Sequence, residues 1–351
     1  MSSDNKYMPD TISLEHGSGG ALSRDLVSDI IHPYFAGREY PDLTDASLLS
    51  LAGKVMMTTD TYSVDPPFFP GGDIGMLSVF GTSNDLAVCG ARPRFLSAGM
   101  VIEEGFSLTD LERVLESMRR ASETAGVKVV TGDTKVVPRG KGGGVYINTC
   151  GVGEPAWEDV AHTPLGMNRI REGDRIIVSG PLGSHGIAVM AAREKLSVAA
   201  SLRSDAGYLF PLCRALLDLG DGVRFMRDAT RGGAAAILNE MADDTGIDIE
   251  AEETRFPVDD EVKTVASILG LEPLEIANEG VLIAVVAPDA VDRAIAAMRQ
   301  HGIGAKAAEV GGFTGSAARD GGSRGRVILT TEFGGKRILG FPRGLLLPRI
   351  C

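Results

Sequence analysis

The chain has 351 residues, which is enough for two domains of ordinary size, each with its own core. Its 35 basic and 47 acidic side chains give a formal net charge of −12. Nucleic acids and membrane surfaces are themselves anionic, so this charge argues against a general role at either. Glycine occupies 45 positions, about twice its usual share. Because hydrophobic residues still make up 44% of the chain, the glycines indicate tight turns rather than disorder.

The longest stretch without a charged side chain, residues 176–192, is interrupted by serine, glycine, proline and histidine and does not fit a membrane-spanning helix. The first 15 residues contain charged side chains and no apolar core of the kind a signal peptide needs. We therefore expect a soluble protein in the cytoplasm. The four cysteines, Cys89, Cys150, Cys213 and Cys351, are far apart and form no C-x-x-C pair, so neither a disulfide framework nor a zinc knuckle is predicted.

The first predicted element is a glycine-rich loop, His16-Gly17-Ser18-Gly19-Gly20, directly before a helical pattern of Leu22, Leu26 and Ile30. Free N–H groups at a helix start suit a phosphate, and glycines let it approach closely. An ordinary glycine-rich helix start explains the same residues equally well, because short glycine strings are weak motifs. The sequence has no Walker loop, so a nucleotide would bind without one.

The first half of the chain continues with strands and helices. A clear helix is predicted over 108–125, since Ser107 and Asp110 form a capping pattern, apolar residues repeat at helical spacing, and Gly126 follows. Apolar or β-branched runs bounded by glycine or charge predict the strands, at 54–59, 94–101, 127–131 and 145–151.

Prolines and scattered polar residues between 154 and 172 indicate a connection, and we place the domain boundary near Gly166. A second alternation of elements follows it. Its predicted strands are 175–179, 223–227, 247–251 and 281–287, and its predicted helices are 206–219, 234–243 and 290–300. Both halves mix helix and strand, so the fold class is α/β or α+β.

Acidic side chains stand at three predicted strand ends or helix faces: Asp60, Asp85 and Asp133. Asn84, beside Asp85, lies on an otherwise apolar helical stripe and needs a hydrogen-bonding partner there. Carboxylates that converge from separate elements suit a Mg²⁺ ion that bridges nucleotide phosphates. Lys135 would share a face with Asp133 in an extended chain. Taken singly, each acid is as readily a cap or turn residue, and Lys135 a surface ion pair.

The segment Asp228-Ala229-Thr230-Arg231-Gly232-Gly233 lies between a predicted strand and helix. Thr230 can cap that helix, the glycines admit an anion and Arg231 can clamp it. Glu279, next to Gly280 before the apolar strand at 281–287, suits a general base if it is buried and a turn residue otherwise.

The sequence closes with Pro348-Arg349-Ile350-Cys351. Segments in this position are normally mobile, whereas free cysteines are usually buried. The combination is similar to a swinging arm that carries a nucleophile at its tip.

Together these motifs resemble the HypE family of hydrogenase maturation factors, within the superfamily of aminoimidazole ribonucleotide (AIR) synthetase. The resemblance spans nearly the whole chain, and the Pro-Arg-Ile-Cys ending is its most specific part. The motifs are His16 to Gly20, Thr58 to Asp60, Pro67 to Asp73, Asn84 to Ala87, Gly132 to Val137, Asp228 to Gly233, Asn278 to Gly280, and Pro348 to Cys351. Ala229 stands where proline is common, and Gly143 where the loop is often more polar.

The resemblance implies a two-domain PurM-like fold, in which the N-terminal mixed sheets of two subunits pair into a shared barrel. The chain would comprise a glycine-rich loop and helix (1–40), an ATP-binding and dimerisation domain (41–165), a C-terminal α/β domain (166–338) and a mobile tail with Cys351 (339–351).

The resemblance also implies an activity and its partners. The carbamoyltransferase HypF would load Cys351 with a carbamoyl group, which the protein would dehydrate with ATP to a thiocyanate. The cyanide would then pass to iron on a HypC–HypD complex. Catalysis would involve Cys351, Lys135 and Glu279, and Mg²⁺ would be held by Asp60, Asp85 and Asp133. The ATP contacts would be His16, Gly17, Ser18, Gly19, Gly20, Asn84, Thr134, Lys135, Asp228, Thr230, Arg231 and Gly232.

Two other functions fit parts of the sequence. A sister enzyme, such as a selenophosphate synthetase or a thiamine monophosphate kinase, would use the same ATP cleft on a free small substrate. The first normally has cysteine or selenocysteine near the glycine loop, and residues 1–88 contain no cysteine. A non-catalytic ATP-binding scaffold would use its tail only to dock a partner. Neither sister enzyme accounts for Cys351.

Overall fold

The computed structural model describes residues 10–18, 21–35, 49–51, 53–157, 165–196, 201–315, 324–342 and 349–351. Near the N-terminus a short 3-10 helix, Leu14–Gly17, precedes consecutive helical segments. These segments are α1 (Ala21–Asp25), a π-helical stretch (Leu26–Ile31) and α2 (His32–Phe35). The predicted helix after the glycine loop is therefore present, while Gly19 and Gly20 lie outside the described residues.

The first half is built on a four-stranded sheet in the order β1-β6-β4-β5, in which β4 and β5 are parallel and the other pairs antiparallel. A two-stranded ribbon, β2 (Phe68–Phe69) with β3 (Gly72–Asp73), leads into a helix. The sheet strands are β1 (Met56–Tyr62), β4 (Ala91–Glu103), β5 (Lys128–Val137) and β6 (Val145–Pro155).

Two helices, α3 (Ile74–Val88) and α4 (Leu108–Ala125), cover one face of this sheet. Because side chains alternate along a strand, one set on β4 is buried under the helices and the other faces away from them. The helix α4 has the predicted bounds. The Ser107 hydroxyl accepts a hydrogen bond from the Asp110 amide, and Gly126 ends the helix at a φ of +66°.

The second half is a seven-stranded sheet in the order β13-β12-β9-β11-β7-β10-β8, with helices packed on it and three hydrophobic clusters around it. The strands are β7 (Arg175–Val178), β8 (Val223–Asp228), β9 (Asp248–Glu252), β10 (Leu282–Val286), β11 (Ala308–Thr314), β12 (Val327–Thr330) and β13 (Lys336–Leu339). The helices are α5 (Ser184–Arg193), α6 (Phe210–Leu217), α7 (Gly233–Thr245), α8 (Asp260–Leu269) and α9 (Val291–Arg299).

The mixed α/β class predicted from the sequence is confirmed. Most predicted elements begin or end within a few residues of their predicted bounds. Among the larger differences, α6 begins at Phe210 rather than 206, after a segment in which Asn84 bonds Gly207 and Leu209, and β5 continues past 131 to Val137. The helices α5 and α8 and the strands β11 to β13 were not predicted. None of the helices in the described part of the chain combines the length and apolar character that a bilayer crossing needs.

Candidate active site

A first group of acidic side chains lies where β1 packs on α3. The Thr58 hydroxyl donates a hydrogen bond to Asp85 Oδ2 at 3.0 Å. Asp60 shares the face of β1 with Thr58 and Tyr62, and so points to the same side as α3. Burial, with a further contribution from the Asp60 charge, raises the pKa of Asp85 to about 6. The structure therefore brings Asp60 and Asp85 together.

Two further acids join this group from the second half of the chain. Asp228 ends β8, and burial together with the Asp85 charge raises its pKa to about 7. Glu279 is 4% exposed and directly precedes the segment leading into β10. Burial, followed by the charges of Asp205 and Asp228, raises the pKa of Glu279 well above its ordinary value. An acid with a raised pKa in a buried group of acids is suited to exchanging protons near neutral pH.

Cys351 is docked at this acidic group. Its thiol lies beside the Glu279 carboxyl, and its carbonyl oxygen accepts the Ser63 amide at 3.0 Å. Burial and the neighbouring Glu279 raise the pKa of the thiol, while the exposed Arg231 acts in the opposite direction. The sulfur is thus held as a neutral thiol beside a candidate base. The described part of the tail lies inward.

The glycine turn after β8 positions Arg231. Gly232 and Gly233 adopt φ values of +76° and +58°, and a Cβ on Gly233 would lie 2.5 Å from the Leu274 carbonyl oxygen. The prediction that Thr230 caps α7 is wrong. Gly232 is the N-cap, no side chain caps the helix, and Thr230 instead accepts the Gly233 amide through its carbonyl.

Asn84 has the hydrogen-bonding partners that the sequence required. Its side-chain nitrogen donates to the Gly207 carbonyl at 2.9 Å, and its side-chain oxygen accepts the Leu209 amide at 2.8 Å. Asn84 is buried, so these bonds join α3 to the second half of the chain. The amide is engaged by the protein itself and does not stand open to a phosphate.

A second group of predicted residues lies at the β5 edge of the sheet. Gly17 packs so tightly on this strand that an added Cβ would lie 2.6 Å from the Val136 backbone nitrogen. Gly17 is therefore close to Thr134 and Lys135, which precede Val136 on the same strand. His16 is buried, and its Nδ1 accepts the Ser13 amide, so the neutral ring carries its proton on Nε2. That nitrogen is buried and has no partner among the described residues.

The two groups lie at opposite edges of the sheet. Asp133 pairs with Gly99 on β4, which pairs with Asn148 on β6, which in turn pairs with Thr61 on β1. Three strand spacings separate β5 from β1, or about 14 Å. Asp133 and Lys135 share a face, as predicted from their spacing, but it is the face turned away from α3. One protomer therefore does not bring Asp133 to Asp60 and Asp85.

The positions of these acidic side chains determine whether the site can bind a metal ion. Within the ranges that the structure describes, no three His, Cys, Asp or Glu side chains are arranged to hold one. A Mg²⁺ ion that bridges nucleotide phosphates needs only one or two protein oxygens. The pair Asp60 and Asp85 fits such an ion, because burial and mutual proximity already disfavour the ionised form of Asp85 and a cation would relieve this.

Two residues of the site were missed from the sequence. The Asp205 carboxylate accepts the Glu279 and Gly280 amides at 2.9 and 2.8 Å and so fixes the backbone that carries the candidate base. His185, fully buried, donates from Nε2 to the Ile350 carbonyl at 2.8 Å. The only available signal was local: a histidine and an aspartate, each next to a glycine-bearing segment.

Comparison with known proteins agrees with the fold and the motifs. Residues 43–154 match the N-terminal domain of AIR synthase related proteins, and residues 171–320 match their C-terminal domain. "Carbamoyl dehydratase HypE" of Bradyrhizobium diazoefficiens is 44% identical over 343 residues, covering 97% of this chain and 96% of that relative. The chain belongs to the HypE family. The resemblance of its motifs to HypE is confirmed. The chain is therefore not assigned to the sister families, whose enzymes act on free small substrates.

Solved HypE structures share the architecture. HypE in complex with ATP matches with a TM-score of 0.90 at 43% identity, covering 97% of this chain and all of that one. A chain from a HypE–HypF complex matches with a TM-score of 0.77 at 37% identity, covering 92% of this chain and 100% of that one. The predicted two-domain HypE fold is thereby confirmed, together with a place among hydrogenase maturation proteins.

Proposed function

We propose that the chain dehydrates an S-carbamoyl group on Cys351 to a thiocyanate at the expense of ATP, and so supplies cyanide for the iron centre of a [NiFe]-hydrogenase. The observation that carries the proposal is the contact between the Cys351 thiol and the buried Glu279 carboxyl. A carbamoyl group on this sulfur would place its nitrogen within reach of that carboxyl. The ATP-bound relative supports a nucleotide as the second substrate.

The dehydration must remove the oxygen atom of the carbamoyl group and both protons of its nitrogen. The carbamoyl oxygen attacks the γ-phosphorus of ATP, ADP departs, and the oxygen later leaves as phosphate while the C≡N bond forms. Two protons leave the nitrogen, one ending on phosphate and one in solution. Glu279 accepts a proton from the nitrogen, for which it must first be ionised. Mg²⁺, when bound by Asp60 and Asp85, would neutralise phosphate charge. Lys135 would stabilise charge on the γ-phosphate.

The separation of the two residue groups supports a homodimer. Lys135 and Asp133 lie at the β5 edge, about 14 Å across the sheet from β1, the strand that carries Asp60. A second copy is needed to bring one subunit's β5 edge to the other subunit's acidic group. His16 would donate its unpaired Nε2 proton to a phosphate oxygen in that shared site.

The proposal extends to partners. The relative solved as a HypE–HypF complex supports HypF as the partner that transfers the carbamoyl group, and HypC–HypD would accept the cyanide. A cytoplasmic location remains a prediction.

The direct test is intact mass spectrometry of the protein incubated with HypF, the carbamoyl donor and ATP. We expect a carbamoyl adduct that then loses one water. Cys351→Ser should form neither species, whereas the matched control Cys89→Ser, at an exposed cysteine, should form both. A thiocyanate on Cys351→Ser protein would overturn the assignment. A carbamoyl adduct on wild-type protein that never loses water would favour the scaffold function.

Subunit mixing tests the shared site. Lys135→Ala and Glu279→Gln should each bind ATP and accept the carbamoyl group but fail to dehydrate it. After subunit exchange, half of the dimers carry one intact site, so about a quarter of wild-type activity should return. No recovery would place Lys135 and Glu279 in the same protomer's site.

A further inference from the structure

The inward tail segment, Arg349 to Cys351, is held by its backbone at every residue. The Arg349 carbonyl accepts the Asp65 amide at 3.1 Å and the Arg193 guanidinium at 2.7 Å. The Ile350 carbonyl accepts His185 Nε2, and the Cys351 carbonyl accepts the Ser63 amide. The carbonyls of residues 351 and 349 thus accept the amides of residues 63 and 65, respectively, in antiparallel order. Backbone hydrogen bonds of this kind are a common means by which proteins bind a peptide segment.

The side chains of the segment also have dedicated partners. The Arg349 guanidinium donates to the Ser63 and Gly143 carbonyls at 2.9 and 2.8 Å and lies 5.3 Å from the centre of the Tyr146 ring. Arg349 takes a φ of +51°, a left-handed conformation that is unfavourable for a residue with a side chain. Ile350 is 4% exposed and belongs to the hydrophobic core of the first half.

His185 is prepared for its contact before the tail arrives. Because a carbonyl can only accept, His185 Nε2 carries the proton, and Nδ1 is left to accept the Ser204 hydroxyl at 2.9 Å. The Ser204 oxygen in turn accepts the Ala206 amide at 3.0 Å. These two hydrogen bonds fix the orientation and the tautomer of the His185 ring. The Nε2–H group that donates to the Ile350 carbonyl is therefore oriented by the folded protein itself.

We propose that these residues form a peptide-binding site, the tail dock, which reads the sequence Arg-Ile-Cys and accepts that segment from a second copy of the chain as well as from its own. The tail dock comprises Ser63, Asp65, Gly143, Tyr146, His185 and Arg193. Every contact above is non-covalent and none depends on the tether that links the segment to the rest of the chain. The proposal rests on the proposed function only in that the bound cysteine is the one modified.

The test uses full-length protein whose own tail is released from the dock. Ile350→Glu would place a charge in the core and expel the segment, and Arg349→Ala, at a partly exposed side chain, removes the anchor without touching the core. A synthetic peptide of residues 340–351 with a fluorophore at its N-terminus is titrated by anisotropy. Both variants should bind it at least tenfold more tightly than wild-type protein, whose own tail occupies the dock at a high effective concentration.

Peptide variants test whether the dock reads sequence. The peptide with Arg349→Ala, and a peptide with the last three residues reversed, should bind at least tenfold more weakly than the natural peptide. Equal binding of all peptides, equal binding by wild-type and released-tail proteins, or no binding by the folded Arg349→Ala protein would each overturn the proposal. Thermal unfolding and ATP binding establish that each variant is folded.

A final arm separates the dock from the proposed chemistry. The doubly substituted Arg349→Ala, Cys351→Ser protein is given S-carbamoylated peptide and Mg-ATP, and the peptide is followed by mass spectrometry. Loss of one water from the peptide supports both proposals. Specific binding without loss of water supports the dock and counts against the dehydratase chemistry. Loss of water from the reversed peptide at the same rate would overturn sequence reading while leaving the chemistry intact.

Discussion

At the scale of single residues, the Asp85 carboxylate is suited to binding a cation but lowers the stability of the unliganded protein. Its folded-state pKa of about 6 lies above the ordinary 3.8, so the unliganded protein loses stability as pH rises from about 4 through 6. Above pH 7 this cost is complete, since Asp85 is then ionised near Asp60 and Asp228. A bound cation would offset this cost by favouring the ionised carboxylate.

We therefore expect Asp85→Asn to stabilise the unliganded protein by about 1–2 kcal/mol at pH 8 and by almost nothing near pH 4. Asparagine can still accept the Thr58 hydroxyl, so the fold has no other reason to change. The same variant should lose most of its affinity for Mg-ATP. Urea unfolding at the two pH values and calorimetry measure these effects, and unchanged Mg-ATP affinity would remove Asp85 from the site.

The thiol of Cys351 gives a second pH dependence. Docking raises its pKa above the ordinary 9.0, so docking is unaffected below pH 9 and weakens as pH rises beyond it. At pH 8 we expect iodoacetamide to alkylate Cys351 at least tenfold more slowly in wild-type protein than in Arg349→Ala protein, with the difference shrinking toward pH 10. Peptide mapping identifies the labelled cysteine, and Cys89, which is exposed, serves as the internal reference. Equal rates at pH 8 would mean that the inward position is not the resting one.

At the scale of elements, the contact between α3 and β1 depends on a glycine. A Cβ on Gly81 would lie 2.2 Å from the Tyr62 hydroxyl oxygen. That hydroxyl is in hydrogen-bonding distance of Thr82, which is bonded to Thr149 on β6, so helix and sheet are joined through one buried polar chain. The same packing holds Asp85 against Thr58.

Gly81→Ala should therefore lower the free energy of unfolding by about 2 kcal/mol, although alanine favours a helix. Tyr62→Phe removes the obstructing oxygen and should cost about 1 kcal/mol by itself. The double variant should be more stable than the sum of the two losses predicts. Urea unfolding of the three variants measures this coupling, and strictly additive losses would contradict the clash.

Elements with local signals were predictable from the sequence, and those with distant partners were not. The bounds of α4 follow from Ser107 and Gly126, which cap it through bonds a few residues long. By contrast, Asn84 bonds residues more than 120 positions away, and Asp205 bonds Glu279 across 74 positions. The strand β11 contains Gly311 and Gly312, which weaken a strand pattern. Period-two spacing showed that Asp133 and Lys135 share a face, but it cannot say which face of the sheet that is.

At the scale of the whole molecule, the face of the first sheet turned away from α3 carries apolar side chains in the open. Met57 on β1 is 72% exposed and Val101 on β4 is 38% exposed. A soluble protein normally covers such a surface with a partner. The sheet edge with Lys135 and Asp133 belongs to this same surface, which is where the proposed dimer would close.

If the proposed dimer closes on this surface, Met57→Glu should convert it to a monomer and abolish the proposed dehydration, since the shared site would be lost. Ile268→Glu is the matched control, because Ile268 on α8 is 64% exposed and lies in the second half of the chain. Light scattering coupled to size-exclusion chromatography gives the mass of each variant. A wild-type monomer, or a Met57→Glu dimer, would count against this surface.

The docked tail also joins the two halves of the molecule. Ser63 and Asp65 belong to the first half, His185 and Arg193 to the second, and the same three tail residues are bonded to all four. When the tail leaves, the amide hydrogens of Ser63 and Asp65 lose the acceptors they have in the inward state and become open to exchange with deuterated solvent. Their protection therefore measures the fraction of time the tail spends inward. Two backbone amides, far in sequence from the cysteine, thus report each loading and unloading of the arm.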